Sequence, residues 1–313
     1  MKIVFMGTPD FAVNSLELLL KSSKHEVLAV VTQPDRPKGR GKKILMTPIK
    51  ETAIEAKVKV FQPNKVKSPE FVEILKQLNP DLIVVAAFGQ FLSQEILDLP
   101  KYGCINVHAS LLPKYRGAAP IHYAILNGEK KTGVTIMKMD IGMDTGDMID
   151  KVEVPITENM TMGELHDELK LKGAELLLEV IDQIENGTAV YKKQNNDEAT
   201  YASLLDRSME KIDWSKSAVE IHNKICAFNP WPGTFTKMPN GKTLKIWKTI
   251  AIDKDYDLKP GTIVECNKNY FSVVTGKGTI EVYEVQPESK RKMLASVFIN
   301  GHNIVEKDEL FSE

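Results

Sequence analysis

Asn79-Pro80-Asp81-Leu82-Ile83-Val84-Val85-Ala86 is the stretch that decides the fold. Leu82–Ala86 is apolar at every position, without the polar alternation of a strand wetted on one face, and Pro80-Asp81 starts it sharply. Working outward, residues 3–6, 27–32, 58–61 and Cys104–His108 carry similar short apolar runs. Between them, residues 11–20, 48–56 and Pro69–Leu78 have helical spacing. Buried strands alternating with helices predict an α/β fold with a parallel sheet covered on both faces. Ligands of such sheets bind outside the carboxyl ends of the strands.

Further along, residues 132–138 and 146–154 read as strands around a polar, glycine-containing loop. Residues 162–186 read as a long helix closed by Gly187. The polar run 191–202 reads as a linker. After a helix over 215–228, prolines 230, 232 and 239 break the chain. Short strands at 243–250, 261–265, 270–275 and 278–285 then predict a small antiparallel barrel or sandwich. The chain divides as 1–190, a linker at 191–206, and 207–313.

The chain has 313 residues and a formal net charge of −1, so global charge gives no support to nucleic-acid binding. Its three cysteines, Cys104, Cys226 and Cys266, are far apart and form no CxxC, which fits a reducing compartment. No apolar run reaches the length of a membrane span, and residues 1–7 are too short for a signal peptide. GxGxxG, GxxxxGK[ST], HExxH and GxSxG are all missing, so dinucleotide, ATP, zinc-hydrolase and serine-hydrolase chemistry lack their signatures. No metal site is expected.

Three segments carry candidate chemistry. In Asn106-Val107-His108-Ala109-Ser110-Leu111-Leu112-Pro113, strand alternation puts Asn106 and His108 on one face at the strand's carboxyl end. An amide donor and an imidazole there can hold an oxygen that turns negative during acyl transfer. Taken alone, His108 reads better as a structural histidine; the face it shares with Asn106 and the turn that follows favour chemistry. The second segment, residues 139–148, holds Asp140, Asp144 and Asp147 between Gly142 and Gly146. It fits a carboxylate aimed at a histidine or a solvated hairpin loop. The third, residues 33–43, sets Arg36, Lys38, Arg40, Lys42 and Lys43 against Asp35. Its prolines and glycines argue against a regular element. It reads as a solvated loop or as a phosphate-contacting arm. His25, His122, His166, His222 and His302 read as structural or surface residues, and Trp214, Trp231 and Trp247 as core.

Residues 108–120 (HASLLPKYRGAAP), with Asn106 before them and DxGxDTG at 140–146 after, resemble folate-dependent formyltransferases. Residues 6–12, 32–43 and 228–235 (FNPWPGTF) extend the resemblance over essentially the whole chain. It implies a Rossmann-like formyltransferase domain followed by a small OB-like β-barrel domain. It implies 10-formyltetrahydrofolate as donor, without metal or ATP, and the α-amino group of methionyl initiator tRNA as acceptor. Asn106, His108 and Asp144 are then catalytic. Ser110, Leu111, Leu112 and Pro113 bind the folate, and Gly89, Gln90, Phe91, Leu92 and Asp140 line its pterin pocket. Arg36, Lys38, Arg40, Lys42 and Lys43 meet the tRNA, with Lys237, Lys242, Lys245 and Lys248 as a second basic set. A cytoplasmic monomer of bacterial type is expected.

The alternatives are a formyltransferase for a small amine or amino-sugar nucleotide, a formyltetrahydrofolate hydrolase, and an inert RNA-binding module. The basic loop separates the first from an RNA acceptor, and an intact Asn106, His108 and Asp144 speak against the last. With a net charge of −1, RNA affinity must come from the local field of the basic loop. Affinity for the acceptor RNA should therefore fall steeply with added salt in a binding titration; a flat response would count against an RNA acceptor.

Overall fold

The structure is a computed structural model that describes residues 1–38, 43–302 and 307–310. It resolves into two compact units: residues 1–120, 132–155 and 166–202 form the first, and 121–131, 156–165 and 203–313 the second.

In chain order the first part gives β1 (Lys2–Gly7), α1 (Val13–Lys21), β2 (Glu26–Val31), β3 (Arg36–Lys38), β4 (Lys43–Leu45), α2 (Pro48–Glu55), β5 (Val60–Phe61), α3 (Pro69–Leu78), β6 (Leu82–Ala86), α4 (Gln94–Leu97), β7 (Cys104–His108) and β8 (Arg116–Gly117). There follow α5 (Pro120–Leu126), β9 (Lys131–Lys138), β10 (Met148–Pro155), α6 (Met162–Glu185) and β11 (Tyr201–Ala202). The helices start where the side chains cap them. Thr47 and Ser68 each accept a backbone N–H three residues on, with proline at the first helical position. Asn79 ends α3 in the left-handed region at φ 48°, and Pro80 prevents continuation.

A seven-stranded sheet runs in the order β10-β9-β7-β6-β1-β2-β5. From β5 to β7 the pairs are parallel. β9 pairs antiparallel to β7, so that His108 faces Thr135 and Ile105 faces Lys138. All five residues of β6 are buried, as its unbroken apolarity requires. Gly133 of β9 lies so close to β10 that a Cβ there would enter the shell of the Val152 carbonyl oxygen and press on Leu111.

The second unit holds α7 (Ala218–Ala227), opened by a full capping box between Ser217 and Glu220. Its sheet comprises β12 (Thr234–Lys237), β13 (Thr243–Ile252), β14 (Ile263–Cys266), β15 (Phe271–Val274), β16 (Thr279–Pro287) and β17 (Met293–Leu294), and α8 (Ala295–His302) follows. The order is β12-β13-β16-β15-β14, antiparallel throughout, with β17 also on β16. Register shifts around Lys248 bend β13, as a small OB-like domain needs. Its core joins Trp214, Ile225, Leu244, Phe271, Val282 and Phe298.

Three expectations need correction. The segment 33–43 is not irregular where it is described: Arg36–Lys38 (β3) and Lys43–Leu45 (β4) form an antiparallel ladder, with Pro37 opposite Ile44. A proline is tolerated because a two-stranded ladder is all edge. Trp231 is 64% exposed rather than core. Residues 121–131 and 156–165 do not continue the first unit as a stretch 1–190 implies. The His122 ring packs edge-on against Phe228, the His222 ring donates to the Glu158 carbonyl, and Gly163 N–H donates to Asn229 O. These contacts tie both segments to the second unit.

Gly133→Ala should destabilise the protein by about 1–3 kcal/mol through overpacking, read as a lowered midpoint of urea unfolding; an unchanged midpoint would show that β9 and β10 can separate freely.

Candidate active site

The carboxyl ends of the parallel strands bring the first set of predicted residues to one edge. Register pairs Gly7 with Ala86 and Val85 with Asn106. Beyond β1, the Thr8 hydroxyl donates to Phe88 O at 3.0 Å, and Gln33 Nε2 beyond β2 donates to the same oxygen at 3.2 Å. The loop after β6 is thereby tied to those after β1 and β2. Within it, Gly89 has φ +81°. Gln90 is committed to the loop 63–66, accepting from Val66 N at 2.8 Å and donating to Pro63 O. Leu92 is buried in the core, while Phe91 is 66% exposed.

β7 ends in Asn106 and His108, two residues apart and so on one face. His108 is buried, and its Nε2 lies 3.0 Å from Tyr115 O. A carbonyl oxygen only accepts, so Nε2 carries the proton of the neutral ring. Nδ1 then faces Asp144 Oδ2 at 3.7 Å, beyond a hydrogen bond but close enough for charge attraction once the ring is protonated. Asp144 Oδ2 is fixed by Gly117 N–H at 2.8 Å. Its own backbone sits at φ 54°, a conformation a non-glycine residue holds only when its surroundings enforce it.

The turn after β7 is closed by its own polar groups. Ser110 Oγ donates to Lys114 O at 2.6 Å. The Thr135 hydroxyl donates to Ser110 O at 2.7 Å and accepts from Leu112 N at 3.1 Å. Ser110 is thus buried and spent internally, Leu112 is buried, and Leu111 and Pro113 remain half-buried. Asp140 is exposed and spent as well, accepting from Gly142 N at 3.0 Å and Thr145 Oγ1 at 2.6 Å.

What remains open is specific. Among the described residues, the Asn106 amide and Asp144 Oδ1 have no hydrogen-bond partner, and His108 Nδ1 has only the distant carboxylate. An amide donor, an imidazole nitrogen and a carboxylate oxygen are therefore left for a ligand within a frame that is otherwise satisfied. This set suits addition to a carbonyl: donors for an oxyanion and a base for a proton. Burial pushes the Cys104 and Cys226 thiols up to about 12, so neither supplies a thiolate nucleophile at neutral pH.

The basic arm is anchored at its root. Asp35 takes an ion pair from Lys50 and a hydrogen bond from Gln62 Nε2 at 2.8 Å, and Gln62 also donates to Gln33 O at 2.9 Å. The bonds from Lys50 and Gln62 hold the Asp35 carboxyl below its usual range. Arg36 is exposed, as are Ile44, Leu45 and Met46. Lys38 and Lys43 pair through their backbones, and Arg40 and Lys42 lie outside the described residues. In the second unit, Lys242 and Lys248 are exposed, whereas Lys237 is bound to Thr243 Oγ1 and Lys245 to Pro232 O. Lys170 lies between Asp10 and Asp167 at 2.7 and 2.9 Å, so the acidic group beside His166 already holds a cation.

Sequence reasoning missed Thr135, Arg116, Gln194 and Thr200. Thr135 reads as one more strand residue. Arg116 stands inside the quoted motif without an assigned role. Gln194 and Thr200 fall in the polar run read as a linker, and no local spacing marks a partner 50 or 85 residues away.

The formyl transferase family matches residues 1–181, and its C-terminal domain matches 204–303. The chain belongs to the formyl transferase family. It is 51% identical to a methionyl-tRNA formyltransferase of Acetivibrio thermocellus, over 99% of both chains. It is 52% identical to one of Clostridioides difficile, over 97% of this chain and 98% of that one. Among solved structures it is similar to an N-formyltransferase from Helicobacter canadensis in complex with folinic acid and dTDP-3-aminofucose. That match has a TM-score of 0.67 and 27% identity, over 94% of this chain and 100% of the other.

Asp35→Asn should destabilise the protein at neutral pH. A carboxyl depressed on folding stabilises above its unfolded pKa, and that stability is lost as pH falls through the folded value. The difference between variant and wild type should therefore shrink in acid, measured by urea unfolding across pH; a pH-independent difference would contradict the anchoring of the arm by charge.

Proposed function

We infer that this chain transfers the formyl group of 10-formyltetrahydrofolate to the α-amino group of methionyl initiator tRNA. The observation that carries this reading is the open trio of Asn106 amide, His108 Nδ1 and Asp144 Oδ1, set in a chain about half identical to methionyl-tRNA formyltransferases over its full length. The half-buried Leu111 and Pro113 and the exposed Phe91 supply apolar surface for the folate.

The chemistry follows from the groups. The donor formyl is an activated amide, so neither ATP nor a metal is required. The neutral amine adds to the formyl carbon, forming a new C–N bond and an oxyanion. Asn106 and protonated His108 donate to that oxygen; because Nδ1 lies too far from Asp144 to be consumed by it, its proton is free to be shared. Asp144 stabilises the imidazolium through Oδ2 and takes the amine proton at Oδ1, directly or through water. Collapse of the adduct breaks the carbon–folate nitrogen bond, and the proton passes to that nitrogen.

The segment from Arg36 to Lys43, which follows the root held at Asp35, contacts the acceptor stem through its charges, and the exposed Lys242 and Lys248 add to the field. The protein acts in the cytoplasm as a monomer. None of its described helices is long and apolar enough to cross a membrane.

A transfer assay with labelled donor tests the acceptor. Label should appear on methionyl initiator tRNA and not on elongator methionyl tRNA or free amines. Label on an amino-sugar nucleotide, the kind of molecule bound by the Helicobacter canadensis protein, would keep the chemistry and overturn the acceptor. Release of formate alone would indicate a hydrolase.

A further inference from the structure

Arg116 is among the largest fully buried side chains of the described residues, and it spends its guanidinium on two neutral side chains of the run 191–202. Nε and Nη2 donate to Gln194 Oε1 at 3.0 and 2.8 Å, and Nη2 also donates to Asn196 Oδ1 at 2.8 Å. An arginine has no acceptor, so the orientation of the Gln194 amide is fixed: oxygen toward Arg116, nitrogen away. That nitrogen donates to two backbone carbonyls of the acidic loop, Asp144 O at 2.8 Å and Gly146 O at 2.7 Å. The two oxygens flank the residue after Asp144, whose own backbone is left-handed. The same run binds the turn after β7: Thr200 Oγ1 accepts from Tyr115 N at 2.9 Å, Thr200 O accepts from Arg116 N, and Ala202 O accepts from Ala118 N. Tyr115 O in turn holds His108.

We propose that Gln194 is a positioning residue for formyl transfer, gripped by Arg116 and holding the Asp144 backbone so that its carboxylate meets His108. This rests on the role given to Asp144 above. The run 191–202 is then part of the reaction centre rather than a tether. Gln194 touches no reacting atom and works only through Asp144. Losing its N–H donors frees the 144–146 backbone, lets Asp144 leave its left-handed conformation and moves the carboxylate relative to Nδ1. Displacements of about 1 Å at a reacting group cost on the order of 100-fold in rate.

Two substitutions separate positioning from a plain structural role. Gln194→Met keeps the volume and removes both hydrogen-bonding ends. Gln194→Glu keeps the acceptor that Arg116 grips but sets an oxygen against the two carbonyls. Both should fold, shown by cooperative melting. In both, kcat should fall about 10- to 100-fold, with KM for the folate donor held within about two-fold. Wild-type turnover in Gln194→Glu would mean that only the Arg116 anchor matters and would overturn the proposal. A cycle with Asp144→Asn completes the test. Adding Gln194→Met to Asp144→Asn should cost nothing further, because the residue acts through that carboxylate. If the two losses multiply, Gln194 acts elsewhere and the proposal fails. If Asp144→Asn alone keeps normal turnover, the role assigned to Asp144 is what fails. If Gln194→Met does not fold, Gln194→Glu and its own cycle with Asp144→Asn carry the decision by the same criteria.

Discussion

The antiparallel pairing of β9 on β7 is the constraint on which the proposed reaction centre depends. It sets Thr135 opposite His108, and the Thr135 hydroxyl closes the Ser110–Leu112 turn from both sides. It also sends the acidic loop off from Lys138, beside the start of β7, while the histidine that Asp144 must meet lies at the far end. The loop has to run back along the strand. That path places a non-glycine residue at φ 54° and leaves carbonyls that need donors. Gly117 N–H on the carboxylate and Gln194 on the carbonyls meet those needs. One choice of strand direction thus explains the strained aspartate, the buried arginine and the ordered run 191–202.

This also explains what could be read from the sequence. Leu82–Ala86, Cys104–His108 and Pro69–Leu78 appear with the bounds their patterns indicate, because burial on both faces and capping are local properties written in consecutive residues. The shared strand face of Asn106 and His108 was legible for the same reason. The direction of β9 was not, since an apolar run looks alike in either direction. Gln194 was invisible because a polar run is the common mark of a linker, and its contacts reach 48 to 78 residues away. The β3–β4 ladder was hidden by prolines and glycines that usually deny regular structure, and β12 by the prolines on either side of it.

Division of labour between polar groups separates support from chemistry. Ser110, Gln90 and Asp140 are each prominent in the sequence, yet each has its side chain spent on holding a turn. Asn106, His108 Nδ1 and Asp144 Oδ1 are what the frame leaves available. On the proposed reading, the folate would meet backbone and apolar surface from Ser110–Pro113 rather than the serine hydroxyl, which is already bonded to Lys114 O. The near-neutral chain is compatible with an RNA acceptor because five of its basic residues fall within the single segment 33–43. The only acid of that segment, Asp35, is neutralised by Lys50 at the root.

The central claim is that the end of β7 is where the formyl group moves. Single-turnover transfer by Asn106→Ala and His108→Ala, with donor binding measured separately, tests it most directly. Removal of one oxyanion donor typically costs about 10²–10³ in rate, so both variants should bind the folate as the wild type does and transfer its formyl group slower by that factor. Near-normal transfer by either variant would contradict the account.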